Sequence, residues 1–365
     1  MIDQAMTIIE KKVSVLKDIF FTGSYSAADA PGVHVCAFDR ETGAIEAVAS
    51  CAGLANPTFL AVDRERRKLY AITETTGPDG GKRGGAAALD VGPDFGLSLA
   101  QIVETVPATT CHIELDKTRR CFIVSSYHGG MVGVSPLSAD GAIGPASDIR
   151  RHEGRSVLPV QDRPRAHSAT VDRSNAYAIV CDLGTDRVIT YRLDPAAGAL
   201  APVSSAAVAP GSGPRHFAFH PSLPYGYVIN ELGSTITAFA YDEQTGALTE
   251  IQTIPTLPAD FAGENACADI HLSPDGRYLY GSNRGHDSIA VYSVAADGTL
   301  SLVQIASVHG KHPRNFALSP DGAYLLAANR DTNDITVFRR SEADGTLSGP
   351  VFRFELPKPV CIKFW

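Results

Sequence analysis

Short runs in which apolar and polar side chains alternate, each bounded by Gly, Pro, Asn or Asp, succeed one another from Ile19 to Trp365. Alternation with a period of two puts successive side chains on opposite faces of an extended chain, so the pattern predicts many short strands joined by tight turns. The runs also recur in register. Phe217-Ala-Phe-His-Pro-Ser-Leu-Pro-Tyr-Gly-Tyr-Val-Ile-Asn-Glu231, Ile270-His-Leu-Ser-Pro-Asp-Gly-Arg-Tyr-Leu-Tyr-Gly-Ser-Asn-Arg284 and Phe316-Ala-Leu-Ser-Pro-Asp-Gly-Ala-Tyr-Leu-Leu-Ala-Ala-Asn-Arg330 are copies of one unit. Weaker copies start at Leu60, Ile113 and Ala169, and a seventh, Ile362-Lys-Phe-Trp365, holds one strand only. The seven anchors (60, 113, 169, 217, 270, 316, 362) lie 46 to 56 residues apart. That is the length of one four-stranded propeller blade.

Each unit runs through an alternating strand (A), a Ser-Pro-Asp-Gly type turn, an apolar strand (B), a polar turn, a third strand (C), an Asp-Gly turn and a fourth strand (D). In the fifth unit, Ile289–Val294 and Leu300–Ser307 are C and D, separated by Asp297-Gly298. Ahead of the first full unit, Ile19–Ser24, Val33–Phe38 and Ile45–Ser50 read as B, C and D with no A before them, and Cys361–Trp365 is the A they lack. The expected fold is all-β: a seven-bladed β-propeller of four-stranded antiparallel blades, its ring closed by N-terminal strands B, C and D with the C-terminal strand A. Residues 1–18 read as an N-terminal extension and 19–365 as a single domain.

Because A and B are antiparallel, the start of A and the end of B reach the same face of the disc. With A innermost, these positions surround one mouth of the central channel. Two residues before each anchor stand Thr58, Cys111, His167, Arg215, Ala268, Arg314 and Val360, and one before stand Phe59, His112, Ser168, His216, Asp269, Asn315 and Cys361. Fourteen after the first six anchors come Glu74, Tyr127, Leu183, Glu231, Arg284 and Arg330. Positions that only build blades should repeat one residue type. These vary and gather His, Arg, Glu and Asp, which marks a binding or catalytic site.

His167, Arg215, Glu231 and Arg284 are the expected catalytic set, with Arg165, His216, Asp269, His271, Asn283, Arg314, Glu74 and His112 expected to bind substrate. Asn283 and Asn329 precede turns and suit a capping role equally well. His167, His112, His216 and His271 could approach one another, but their spacing argues for no preformed metal site and none is expected.

Composition narrows the function classes. Hydrophobic residues make up 44% of the chain and charged residues 20%, enough apolar surface to build a core and too much for a disordered chain. A net charge of −8 removes the basic surface that a general nucleic-acid binder needs. The seven cysteines form no CxxC pair and mostly lie in apolar strand-like runs, as free thiols in a reducing compartment would. Asp3, Glu10, Lys11, Lys12 and Lys17 interrupt any signal-peptide core in residues 1–18, and no later apolar run approaches 18 residues. A cytoplasmic protein without membrane contact is expected. The oligomeric state is not written in the sequence.

The motifs His152-x-Gly154-x-Ser156, Pro164-Arg-Ala-His-Ser168, Asp182-Leu-Gly184, Gly213-Pro-Arg-His216, Asn230-Glu-Leu232, Ala268-Asp-Ile-His271, Ser282-Asn-Arg-Gly285 and His312-Pro-Arg-Asn315 resemble those of the 6-phosphogluconolactonase and carboxy-muconate lactonizing enzyme family of seven-bladed propellers. The resemblance spans nearly the whole chain. It implies a cofactor-free propeller acting on a lactone ring, with His167, Arg215, Glu231 and Arg284 at the catalytic positions. Three motifs depart from the family: Arg165 stands where a His is usual, Asp269 where a Glu is usual, and Ser125-Ser126-Tyr127 where Ala-Asn-Tyr is usual.

Opening a lactone requires an activated water, stabilisation of the oxyanion and a proton for the departing ring oxygen. His167 or Glu231 can serve as base, and Arg215 and Arg284 as fixed cations. Arg165, able to hold a carboxylate or phosphate bidentately, is expected to anchor the distal anion of an anionic lactone such as 6-phosphogluconolactone. Two rivals remain: cycloisomerisation of a carboxy-muconate-type dicarboxylate in the same pocket, and a non-catalytic propeller that binds a protein partner. The latter would need a broad apolar patch on one face.

Overall fold

A computed structural model describes residues 17–365 of the chain. Among these residues the chain forms seven four-stranded antiparallel sheets, each ordered A-B-C-D outwards, so the propeller expectation holds blade by blade. Blade four is representative: A is Pro214–Phe219, B Tyr225–Asn230, C Thr235–Tyr241 and D Leu248–Pro255. Strand B is buried from Gly226 to Asn230, whereas D is exposed along most of its length. This follows from the architecture, because inner strands are covered by neighbouring blades on both faces while D forms the rim. The core therefore lies between blades. Tyr227, Ile229, Ile236 and Ala238 of blade four pack against Cys267, Ile270, Leu279, Ala290 and Tyr292 of blade five.

Blade seven is assembled from both ends of the chain. Strand A (Pro359–Phe364) pairs with B (Lys17–Ser24), followed by C (Val33–Asp39) and D (Ile45–Cys51). Thr22 faces Ile362 and Phe20 faces Phe364 in register, and the Trp365 backbone N–H donates to the Ile19 carbonyl at 2.8 Å. Ring centroids of Phe20–Phe364 and Phe21–Trp365 lie 5.4 and 5.7 Å apart. Strand B starts two residues ahead of the expected Ile19, because ion pairs of Lys17 with Glu46 and Asp18 with Arg40 continue it beyond its apolar run. Residues 1–16 of the expected extension, with most of the charges used to place the protein in the cytoplasm, lie outside the described residues. Among the described residues no helix is long and apolar enough to cross a membrane.

On the face opposite the mouth, tyrosines near the start of strand B link blades one, four, five and six to the next. Tyr70 Oη donates to the Gly141 carbonyl at 2.8 Å, Tyr227 to Gly298 at 3.1 Å, Tyr280 to Gly345 at 2.8 Å and Tyr324 to Glu41 at 3.0 Å. Each acceptor lies in the C–D turn of the following blade, so a residue read as apolar filling also carries a polar bond across the interface.

Candidate active site

Strict alternation would send the residues one and two before each anchor to opposite faces of strand A. A β-bulge prevents this. In blades three, four and six the register slips between Ala166 and Ser168, Pro214 and His216, and Pro313 and Asn315, leaving His167, Arg215 and Arg314 as the extra residues. Related slips occur in blades five and seven. A bulge bends the strand and re-aims a side chain, so both columns can face the axis.

At the mouth lies a cavity of about 260 Å³ lined by His167, Glu231, Arg314, Glu74, Tyr127, Tyr25 and neighbouring residues. Glu231 Oε2 accepts from Arg215 Nε at 2.8 Å and lies 3.0 Å from Arg284 Nη2. The two arginines sit behind it, only 2% and 8% exposed, and donate further to the carbonyls of Ala268 (Arg215), Ala266 and Cys267 (both Arg284). Burial alone would raise the Glu231 pKa, but the charges of Arg284, Arg215 and Arg314 outweigh it and hold the carboxyl below its usual range. Burial, then Arg314 and Arg284, push the Arg215 guanidinium down to about 9, so it remains a cation at neutral pH. For His167, burial first and the Arg215 charge next hold the imidazole pKa well below its ordinary value. Neither ring nitrogen of His167 nor the guanidinium of Arg314 has a protein hydrogen-bond or ion-pair partner among the described residues. Arg314 lies 5.9 Å from the Tyr25 ring.

Below the mouth, His216 Nδ1 lies 2.7 Å from Asp269 Oδ1, and Asp269 Oδ2 lies 2.8 Å from His271 Nε2. Asn315 Nδ2 also donates to Asp269. His112 is buried beside Phe59 and His216, at ring separations of 4.2 and 5.5 Å. The His167 and His216 rings meet edge to face at 5.3 Å. Among the described residues no three His, Cys, Asp or Glu side chains form a metal-holding group, and both His216 nitrogens already have protein partners.

Of the residues expected at the mouth, His167, Glu231, Arg314 and Glu74 line the cavity, with Glu74 paired to Lys82 and Asn56. Arg215 and Arg284 back it, and His216, Asp269, His112 and His271 lie along the channel. Two of the expected residues have other partners in the structure. Asn283 bonds Thr256, just past strand D of blade four, and Ser288 of its own blade, and is not among the residues that line the cavity. Arg165 bonds the Val160 carbonyl and Asp162 while its guanidinium lies 4.8 Å over the Tyr127 ring, which engages it in its own loop. Tyr25 was missed. It follows strand B of blade seven and completes the ring of Glu74, Tyr127, Leu183, Glu231, Arg284 and Arg330, but it lies at the opposite end of the sequence from its anchor.

The fold and this cavity define a seven-bladed propeller with a charged cavity on its axis. Over residues 19–364 the chain matches the family described as "Lactonase, 7-bladed beta-propeller", and it belongs to that family. It is 33% identical over 350 residues to a 6-phosphogluconolactonase of Bacillus subtilis, covering 95% of this chain and 98% of that one. The solved structure of a periplasmic gluconolactonase from Pseudomonas aeruginosa superposes with a TM-score of 0.89 at 30% identity, covering 96% of this chain and 99% of that one. A protein from Lactobacillus plantarum gives a TM-score of 0.89 at 32% identity, covering 96% and 100%.

Proposed function

We propose that the chain hydrolyses a sugar lactone bearing an anionic group, with 6-phosphogluconolactone the first substrate to test. The observation that carries this reading is a contrast within one cavity: Glu231 is locked by two arginines, whereas His167 and Arg314 have no protein partner. His167, neutral at physiological pH, takes a proton from water as the water attacks the lactone carbonyl, then gives it to the ring oxygen as the C–O bond breaks. Two guanidinium groups, Arg215 and Arg284, are set against one carboxylate, Glu231, and this net positive field stabilises the oxyanion in a water-poor setting. Glu231 keeps Arg215 and Arg284 aligned rather than acting as base.

The substrate's distal anion binds Arg314. That residue replaces Arg165 as anchor, because Arg165 is held by its own loop. Next to the cavity lies an open hollow of about 760 Å³ where Lys82 pairs with Glu74 and Arg330 with Asp331, and Lys358 adds a further positive charge on the approach. The dicarboxylate cycloisomerase reading is weaker, since the Arg215–Arg284 pair already holds Glu231 and one partnerless guanidinium remains at the cavity. A protein-binding propeller is weaker still: large exposed apolar residues such as Val48, Val203, Ile251 and Val351 are spread over the D strands around the rim. Location in the cytoplasm is part of the proposal and is supported by seven free cysteines.

A pH-stat panel of 6-phosphogluconolactone, gluconolactone and carboxy-muconate tests the reading. Hydrolysis of the phosphorylated lactone is expected, with kcat/KM falling on the acid side only well below pH 6.5 as His167 becomes protonated. Turnover of the muconate alone would overturn it.

A further inference from the structure

Asp269 has four donors around its carboxylate and leaves its partners little choice of protonation. Oδ1 faces His216 Nδ1 at 2.7 Å, and Oδ2 faces His271 Nε2 at 2.8 Å, Asn315 Nδ2 and the Phe316 backbone N–H at 3.4 Å. Burial would raise its pKa, but His271 and His216 outweigh this and hold it well below the carboxylate range, so the group is ionised and can only accept. His216 Nδ1 therefore carries a proton. Burial, then Arg215, push the His216 imidazole down to about 4, so the ring is neutral and Nε2 keeps its lone pair. That lone pair faces Arg215 Nη1 at 3.1 Å, and the same amino group donates to the Ala268 carbonyl at 2.6 Å.

We propose that Asp269 and His216 are positioning residues for Arg215: the carboxylate selects the Nδ1–H tautomer of His216, whose Nε2 then fixes the guanidinium that holds Glu231 at the cavity. The opposite tautomer would turn an N–H toward the Arg215 cation and break the contact. The chain Asp269–His216–Arg215–Glu231 thus transmits orientation from inside the channel to the cavity wall, crossing from blade five to blade four. This inference rests on the proposed hydrolysis for its kinetic arm only.

Two measurements test it. Nitrogen-15 spectra of histidine-labelled protein should show His216 as the Nδ1–H tautomer from pH 6 to 8, with the Nε2–H form gaining population in Asp269→Asn. A wild-type protein in the Nε2–H form overturns the proposal whether or not any lactone is turned over. In the kinetic arm, His216→Gln places an acceptor near the Nε2 position, while His216→Asn places a donor near Nδ1 and nothing opposite Arg215. Turnover of 6-phosphogluconolactone should fall by about 10²-fold in His216→Asn with KM little changed, and return to within a few-fold in His216→Gln. A purely structural role for the bond to Asp269 predicts the reverse order, and equal rates in the two variants also defeat the proposal. If His216→Asn does not fold, Asp269→Asn carries the same expected loss. Arg215→Ala, assayed alongside, separates the failures: full turnover there removes Arg215 from the reaction, while the tautomer result stands by itself.

Discussion

The two faces of the disc use polar side chains in different ways. Away from the mouth the bonds follow a pattern that recurs from blade to blade: Ser273 Oγ donates to Asp275 at 2.5 Å and Ser319 Oγ to Asp321 at 2.6 Å, Asp172 accepts from the backbone N–H groups of Ala176 and Tyr177 at 2.9 Å each, and the strand B tyrosines reach the C–D turn of the next blade. At the mouth end the bonds run between blades. Ser168 Oγ of blade three donates to the Arg215 carbonyl of blade four at 2.8 Å, Asn315 of blade six donates to Asp269 of blade five, and the Ile362 N–H of blade seven donates to Asn315 Oδ1 at 2.7 Å. A turn poses the same local problem in every blade, so its chemistry repeats. The inter-blade belt is one object spread over the ring, so each blade supplies a different part. Loss of one far-face bond should cost stability only, whereas loss of one belt bond should also disturb the cavity.

The severest way to break that contrast is to delete Cys361–Trp365. This exposes Phe20 and Phe21, which are fully buried, and removes the Ile362 donor from the belt. No cooperative thermal transition is expected in calorimetry, and a melting temperature equal to that of the full chain would refute closure as a requirement. Next comes Arg215→Ala, which leaves Glu231 one partner and removes a cation. A fall in kcat of about 10²-fold is expected by analogy with the loss of one preorganised donor, and a near-normal kcat in steady-state assays would take Arg215 out of the mechanism.

Arg314→Ala should have a smaller and different effect. Removing an anchor used equally in ground and transition states raises KM for the phosphorylated lactone by roughly tenfold, leaves kcat in place and spares an uncharged lactone. Equal losses on charged and uncharged lactones would show that Arg314 does not read the anion. The smallest effect belongs to the far face: Asp321→Ala removes bonds to Ser319 and Ala323 and should lower stability by about 1 kcal/mol in urea titrations with unchanged kinetics. A change in turnover as large as that at the mouth would erase the distinction between the faces.

Much of this contrast was legible in the chain. Seven recurrences of strand A, and the seam between Ile362 and the Ile19 strand, follow from period and register, because every blade must bury the same two faces. The mouth was legible as the place where repetition fails. The bulges were not, since an extra residue leaves no mark in an alternating pattern, and they are what bring His167 and His216 of neighbouring columns toward one axis. For Arg165, sequence position says where the backbone lies but not that Val160, Asp162 and Tyr127 contact the guanidinium. Asn283 reads equally as ligand or cap in the sequence, and its bonds to Thr256, 27 residues away, and to the Ser288 hydroxyl could not be read there.

The seam also fixes where attachments can be made. Strand A of blade seven runs from Pro359 at the mouth to Phe364 on the far side, and strand B returns from Lys17 beside it, so both ends of the described chain leave the disc opposite the cavity. A support or label coupled just beyond Trp365 would hang beneath the disc and leave the approach to His167 and Arg314 clear. The coupling chemistry would have to spare Trp365 itself, whose ring lies 5.7 Å from Phe21, 5.8 Å from Phe95 and 5.4 Å from the Arg67 guanidinium, where it pins the last strand to the first blade.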